Sequence, residues 1–152
     1  MFERFAKPLA CAGLAVFLTA CAATGPKFST IENTLPAVAD KTGRVFFYRE
    51  YSSFGAGMRP DIFACGSKVG ESIPGGMFYA DLPAGECEIT IPSVMYPGER
   101  KISVTVGTPK VIYFKTWMGA SSFGGRTNID EVSAGEAVEA MQDLALTNEK
   151  KN

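Results

Sequence analysis

Histidine is absent from all 152 residues. Its absence removes the commonest general base, and with it the Ser-His-Asp and Cys-His arrangements of nucleophilic catalysis. Cysteine is scarce, with four in the chain, and two lone cysteines without histidine make a poor metal-ligand set. The formal charge of −1 is small and becomes −2 if residues 1–20, with Arg4, Lys7 and Glu3, are removed. Neither value draws the chain toward nucleic acid. Gly55-Ala56-Gly57 runs into Arg59-Pro60, where a dinucleotide site needs a third glycine and a helix. The carboxylates Asp61, Glu71, Asp81 and Glu99 are dispersed, and spacing alone brings no two of them to glycosidase separation. The chain is therefore expected to have no catalytic residue, no metal and no cofactor.

What is present begins at the N-terminus. Arg4 and Lys7 lead into an apolar run, residues 9–20, too short to span a bilayer comfortably and laid out as a signal peptide. It ends in Leu18-Thr19-Ala20-Cys21, which resembles a bacterial lipobox. That resemblance implies removal of residues 1–20 and lipidation of the Cys21 sulfur, the nucleophile that accepts a diacylglyceryl group. The two or three acyl chains usual in this class would anchor firmly, each buried CH₂ stabilising attachment by about 0.8 kcal/mol. An ordinary cleaved secretory signal with a chance cysteine is the plainer alternative. By similarity to enterobacterial-type sorting, Ala22 rather than Asp after the lipidated cysteine implies the outer membrane, facing the periplasm.

Residues 21–42 are rich in Ala, Thr and Pro and read as a tether, its ends roughly 25 Å apart if treated as a flexible coil. Residues 31–39 have the makings of a short helix or an added strand, against which Pro26 and Pro36 count. From Gly43 to Val132 the chain becomes short alternating segments punctuated by Gly and Pro. This pattern predicts an all-β domain, a small antiparallel β-sandwich or partly open barrel of about seven strands. The strands are expected over 44–49, 61–65, 68–73, 77–82, 86–91, 101–106 and 111–117. In the sixth, Ile102, Val104 and Val106 alternate with Lys101, Ser103 and Thr105, and in the fifth Cys87, Ile89 and Ile91 alternate with Glu86, Glu88 and Thr90. Residues 133–152 change period. Ser133 and Glu136 have capping-box spacing, and Ala137, Val138, Met141, Leu144 and Ala145 form one stripe of a short C-terminal helix over 134–146.

Strand parity yields two further expectations. If each strand reverses the last, Cys65 closes strand two and Cys87 opens strand five at the same end of the domain. In an exported chain a disulfide between them is expected, closing about two dozen residues and stabilising the fold by roughly 3 kcal/mol. The alternatives are free thiols or a metal. Parity also gathers the loops 51–60, 74–76, 92–99 and 118–127 at the opposite end. Two of them share Ser-Ser-Phe-Gly, at 52–55 and 121–124, each followed by an arginine. Ser53, Phe54, Arg59, Tyr96, Arg100, Ser122, Phe123 and Arg126 are thus the candidate ligand-binding residues, offering hydroxyls, aromatic faces and guanidinium groups to a carboxylated or sugar ligand. A structural reading stands beside this one, in which the phenylalanine rings plug the mouth of the sandwich and the arginines bind carbonyls or Glu99.

The run 43–49, Ser53-Phe54-Gly55, Gly85-Glu86 ahead of Ile89-Thr90-Ile91-Pro92, and 121–126 resemble the domain-of-unknown-function 2846 family of bacterial lipoproteins. Residues 65–70 followed by Leu82-Pro83-Ala84-Gly85 also resemble the PEGA-type β module, although Cys65 and Cys87 stand where such modules commonly carry Asp and His. The resemblance implies a β fold and an envelope location, with no chemistry attached. The expected function is a lipid-anchored, non-catalytic binding or structural accessory. Its partners would be the membrane and an envelope protein or glycan. The alternatives are a glycan- or peptide-ligand module at the Ser-Ser-Phe-Gly end and, more remotely, a hydrolase with an unrecognised carboxylate pair.

Overall fold

The computed structural model describes residues 22–94, 97–108, 110–121 and 124–147; residues 1–20 and Cys21, with the expectations placed on them, lie outside. Nine strands and two helices are found among the described residues. One sheet has the order β8-β7-β1-β4-β9 and the other β3-β2-β5-β6. The strands are β1 (Thr42–Arg49), β2 (Asp61–Ala64), β3 (Ser67–Glu71), β4 (Gly76–Pro83), β5 (Gly85–Pro92), β6 (Glu99–Val106), β7 (Val111–Ser121), β8 (Gly124–Val132) and β9 (Ala145–Leu146). Helix α1 (Phe28–Ile31) precedes them and α2 (Ala134–Met141) follows β8.

The expected purely antiparallel seven-stranded sandwich is corrected to a mixed, two-sheet fold. β1 pairs with β4 antiparallel but with β7 parallel, and β4 pairs with β9 parallel. The reason lies in burial. β1 has seven of its eight residues buried, and a strand covered on both faces accepts a same-direction neighbour as readily as parallel sheets do. Val45 and Phe47 face a core between the sheets with Ile62, Phe78, Ile89, Val104 and Phe114. Phe46 and Tyr48 face a second core under the helices, with Phe28, Met77, Ala137, Met141 and Leu144. Phe47 stacks on Phe78 and Phe114 with ring centres 5.0 and 5.6 Å apart. Phe46 stacks on Tyr113 at 5.3 Å and meets the edge of Phe28 at 5.9 Å.

Two strands went unanticipated. β8 carries Arg126, Asn128, Asp130 and Glu131 and has a single neighbour, β7, so only the alternate Gly125, Thr127 and Ile129 are buried to mark it. β9 is two residues long. It forms because the expected helix stops at Met141: the carbonyls of Gln142 and Leu144 accept the Ser29 and Phe28 N–H groups, and Ala145 N–H donates to Gly75. The helix start is as the spacing predicts, Ser133 Oγ accepting the Glu136 N–H at 3.3 Å.

The stretch expected to be a flexible coil lies bound along the helix-bearing face of the first sheet. Ala23 N–H donates to Pro74, Pro26 accepts from Leu146, and Phe28 is buried. Further along, the Pro36 carbonyl accepts from Arg44, a buried guanidinium that also grips Asp81 through two 2.7 Å bonds and lies over the Tyr79 ring. Asp81, by hydrogen bond, holds Arg44 above its usual pKa against the cost of burial.

The pairings of β1 to β8 agree with parity, each antiparallel pair joining an odd- to an even-numbered strand and the parallel pair joining β1 to β7. β2 pairs with β5 so that Ala64 lies opposite Ile89, which brings Cys65 beside Cys87, and the two are bridged by a disulfide. Cys65 and Gly66 form the two-residue turn of the β2–β3 hairpin, both with positive φ (51° and 83°), the conformation such tight hairpins require. Cys65 therefore occupies a backbone region that costs a side chain energy, and the bridge to β5 holds it there. Non-reducing peptide mapping is expected to show the Cys65–Cys87 pair. Cys65→Ala/Cys87→Ala is expected to lose about 3 kcal/mol in urea denaturation; a loss below about 1 kcal/mol would contradict this account.

Candidate functional site

β1 ends in Arg49, which is 2% exposed although it follows four consecutive apolar residues out of the core. Its Nη1 donates to the carbonyls of Met58 and Ser72 at 2.8 and 3.2 Å, and its Nη2 to that of Gly55 at 2.9 Å. Its own carbonyl accepts the Gly75 N–H at 2.9 Å. One guanidinium thus gathers the loop after β1 and the β3–β4 turn to the end of the central strand. Carbonyl dipoles, rather than a carboxylate, solvate this cation, and burial holds its pKa below the usual arginine value.

Gly55 permits this arrangement, with φ of 69° and the space of its absent Cβ occupied by Met118, whose Cγ would lie 2.7 Å away. The Met118 and Met58 side chains also pack at Gly125. Methionines therefore fill the mouth of the sandwich. Phe54 does not plug it, being 46% exposed.

Beside Arg49 opens a cleft of about 290 Å³, between the exit of β1 (Arg49, Glu50, Tyr51, Ser52) and the far half of β7 (Lys115, Thr116, Trp117, Met118). Its inner wall is polar and fixed. Thr116 Oγ1 lies 2.8 Å from Ser72 Oγ and donates to the Tyr48 carbonyl at 3.2 Å. Its outer wall pairs Lys115 with Glu50 and presents Tyr51 and Trp117, the indole N–H donating to Asp130 at 2.6 Å. Such a cleft offers hydroxyls, two aromatic faces and a paired cation and carboxylate, a set that suits binding.

None of the described residues singled out from the sequence lines this cleft. Ser53 and Phe54 are exposed in the loop, where Phe54 N–H donates to Ser52 Oγ. Arg59 is exposed at the end of the same loop. Arg100, the second residue of β6, donates to Asn128 on β8 at 3.2 Å, joining the two sheets at this end. Arg126 is exposed on β8 opposite Gly119. Tyr96, Ser122 and Phe123 lie outside the described residues. Sequence reasoning passes over Arg49, Glu50 and Lys115 and takes Tyr51 and Trp117 first as strand packing, only secondarily as a stacking platform. The signal for Arg49 was available, since an arginine directly continuing Val45-Phe46-Phe47-Tyr48 must be either buried or strand-ending.

Two of the four dispersed carboxylates do meet. Asp61 and Glu71 are cross-strand partners on β2 and β3, and both bind Lys68, at 2.7 and 3.1 Å. Neither lines the cleft; Asp81 is held by Arg44, and Glu99 by Lys101 at 2.8 Å. Among the described residues no group of three or more Cys, Asp or Glu is placed to hold a metal ion. The chain is a small, disulfide-stabilised, β-rich domain without a metal or catalytic cluster among those residues.

Tyr48 sits behind the cleft with its hydroxyl buried and without a hydrogen-bond partner among the described residues. Burial first, and the charges of Glu136 and Glu50 second, push its phenol up to about 12.

No protein-family model matches the chain, and no solved structure matches it. A protein of Haemophilus influenzae, named "Uncharacterized protein", is 29% identical over 138 residues, covering 88% of this chain and 80% of its own.

Arg49→Met is expected to leave the Gly55, Met58 and Ser72 carbonyls short of a donor and to cost about 2–4 kcal/mol in urea denaturation. Arg49→Lys, a point charge unable to fork to three carbonyls, should recover about half of that or less. Tyr48 sets an alkaline limit. An unfolded tyrosine loses its proton near pH 10, so between there and the folded value the folded state holds the extra proton. Stability intact below pH 10 should fall by on the order of 2–3 kcal/mol as pH rises through 12. Tyr48→Phe should flatten this limb and, having no orphaned hydroxyl, melt no lower than wild type at neutral pH; urea midpoints across the alkaline range measure both effects.

Proposed function

We propose that the protein is a lipid-anchored component of a bacterial cell envelope whose disulfide-closed β domain acts as a non-catalytic binding or structural accessory. The observation that carries this reading is the placement of Cys21 at the end of a short apolar leader, directly ahead of a folded, disulfide-bonded domain. The charged lead and the apolar run match an export signal, and Leu18-Thr19-Ala20 supplies the small residues a lipoprotein peptidase accepts. A Cys65–Cys87 bridge is at home outside the reducing cytoplasm. The resemblance to the domain-of-unknown-function 2846 lipoproteins belongs to the same proposal, as does attachment to the periplasmic side of the outer membrane. A pre-built cleft with fixed hydroxyls and exposed aromatics, and no histidine in the chain, favours binding over catalysis.

Cells fed an alkynyl fatty acid are expected to label the wild-type protein in the membrane fraction. Cys21→Ser should abolish labelling and release the domain into the soluble fraction. Recovery of an unlabelled chain that still begins at Met1 would defeat the proposal.

A further inference from the structure

Five large apolar side chains are exposed among the described residues: Tyr51 (66%), Phe54 (46%), Val94 (55%), Trp117 (43%) and Val111 (38%). Val111 begins β7, level with the start of β1. The other four belong to the opposite end: Tyr51 and Phe54 follow β1, Val94 lies between β5 and β6, and Trp117 stands on β7 beyond the last residue paired with β1.

The chain enters the domain at this same end. Ala23 N–H donates to the Pro74 carbonyl at 3.0 Å, and the adjoining Gly75 N–H donates to Arg49. The Cβ of Ala23 packs at Gly76, and Gly75 lies against the Cβ of Tyr51. Two residue steps separate Ala23 from Cys21, a reach of about 7 Å at most. Because residues beyond Ala23 are bound to the body rather than slack, an anchor on Cys21 has no tether on which the domain can swing away.

We propose that the end of the domain bearing Tyr51, Phe54, Val94 and Trp117 rests on the phospholipid surface in which Cys21 is anchored. The inference rests on the lipid-anchor reading and adds the orientation and contact surface of the domain. Tyrosine and tryptophan are the side chains that settle at a bilayer interface, ring in the acyl boundary and polar tip among headgroups. Arg126, exposed at the same end, meets headgroup phosphates; Glu50 pairs with Lys115, Glu99 shares Lys101 with Glu88, and the Asp130 carboxylate on the Trp117 N–H lies across the strands from Lys115. Each aromatic contact is weak alone, and an anchor two residues ahead of Ala23 makes it effectively intramolecular.

Trp117 is the chain's sole tryptophan, so its emission reports this surface alone. The acylated full-length protein, purified from membranes, is reconstituted into vesicles of phosphatidylethanolamine and phosphatidylglycerol with brominated acyl chains. Intact mass on the same sample reads the acyl group on Cys21 independently. The expected result is emission shifted to shorter wavelength than in the soluble Cys21→Ser protein, and quenched at least about twofold by the brominated lipid. Tyr51→Glu/Phe54→Glu, two exposed positions, should keep the melting temperature and lose most of the quenching. An acylated sample whose Trp117 stays water-like and unquenched overturns the docking and leaves the anchor standing. A sample without acyl mass overturns both. Emission that responds to soluble peptidoglycan glycopeptides but not to vesicles also overturns it, in favour of a ligand cleft.

Discussion

The fold depends on one strand being buried on both of its faces. In β1, Val45 and Phe47 look into the space between the sheets while Phe46 and Tyr48 look under the helices, so a single six-residue run ties three layers together. Both of its ends are arginines removed from water, Arg44 and Arg49. They are solvated differently: Arg44 by a carboxylate and an aromatic face, Arg49 by loop carbonyls alone. A buried cation is tolerable only when its donors are answered; loops answer Arg49, while β4 and the Pro36 carbonyl answer Arg44. The central strand therefore organises the loops at one end and the N-terminal segment at the other.

Much of this architecture was legible in the sequence. β5 and β6 are half-buried strands, and their alternation shows it residue by residue. The disulfide was accessible because parity concerns direction only, and direction alternates from β1 to β8 whichever strands become neighbours. Adjacency was not accessible by that route. The continuous run 45–48 and its counterpart 111–114 are the pattern of strands covered on both sides, which is where a parallel pair can form; reading them as ordinary sandwich strands hid the β1–β7 pairing. β8 was hidden by its edge position and polar residues, and β9 by having only two residues.

The candidate site was half legible. The first Ser-Ser-Phe-Gly lies in the loop beside the cleft, where Gly55 with its positive φ makes a sharp corner. It did not identify the side chains that form the cleft. Those arise from tertiary geometry: β7 runs on past β1, so Trp117 and Lys115 come level with Tyr51 and Glu50, an adjacency that no local pattern encodes. Arg49 was overlooked because arginine is ordinarily a surface residue, and only the identity of its four preceding neighbours argues otherwise.

The N-terminal segment is stitched to the C-terminal one, Pro26 to Leu146 and Phe28 to Leu144, with Lys27 opposite Ala145. Any pull on the chain upstream of Ala22 is consequently borne first by this pair of outermost segments and by the Pro74 turn, and only afterwards by the aromatic layers. Because the N-terminal segment also carries Phe28, packed edge-on against Phe46, separating it from the sheet edge would strip an aromatic side chain from the core under the helices.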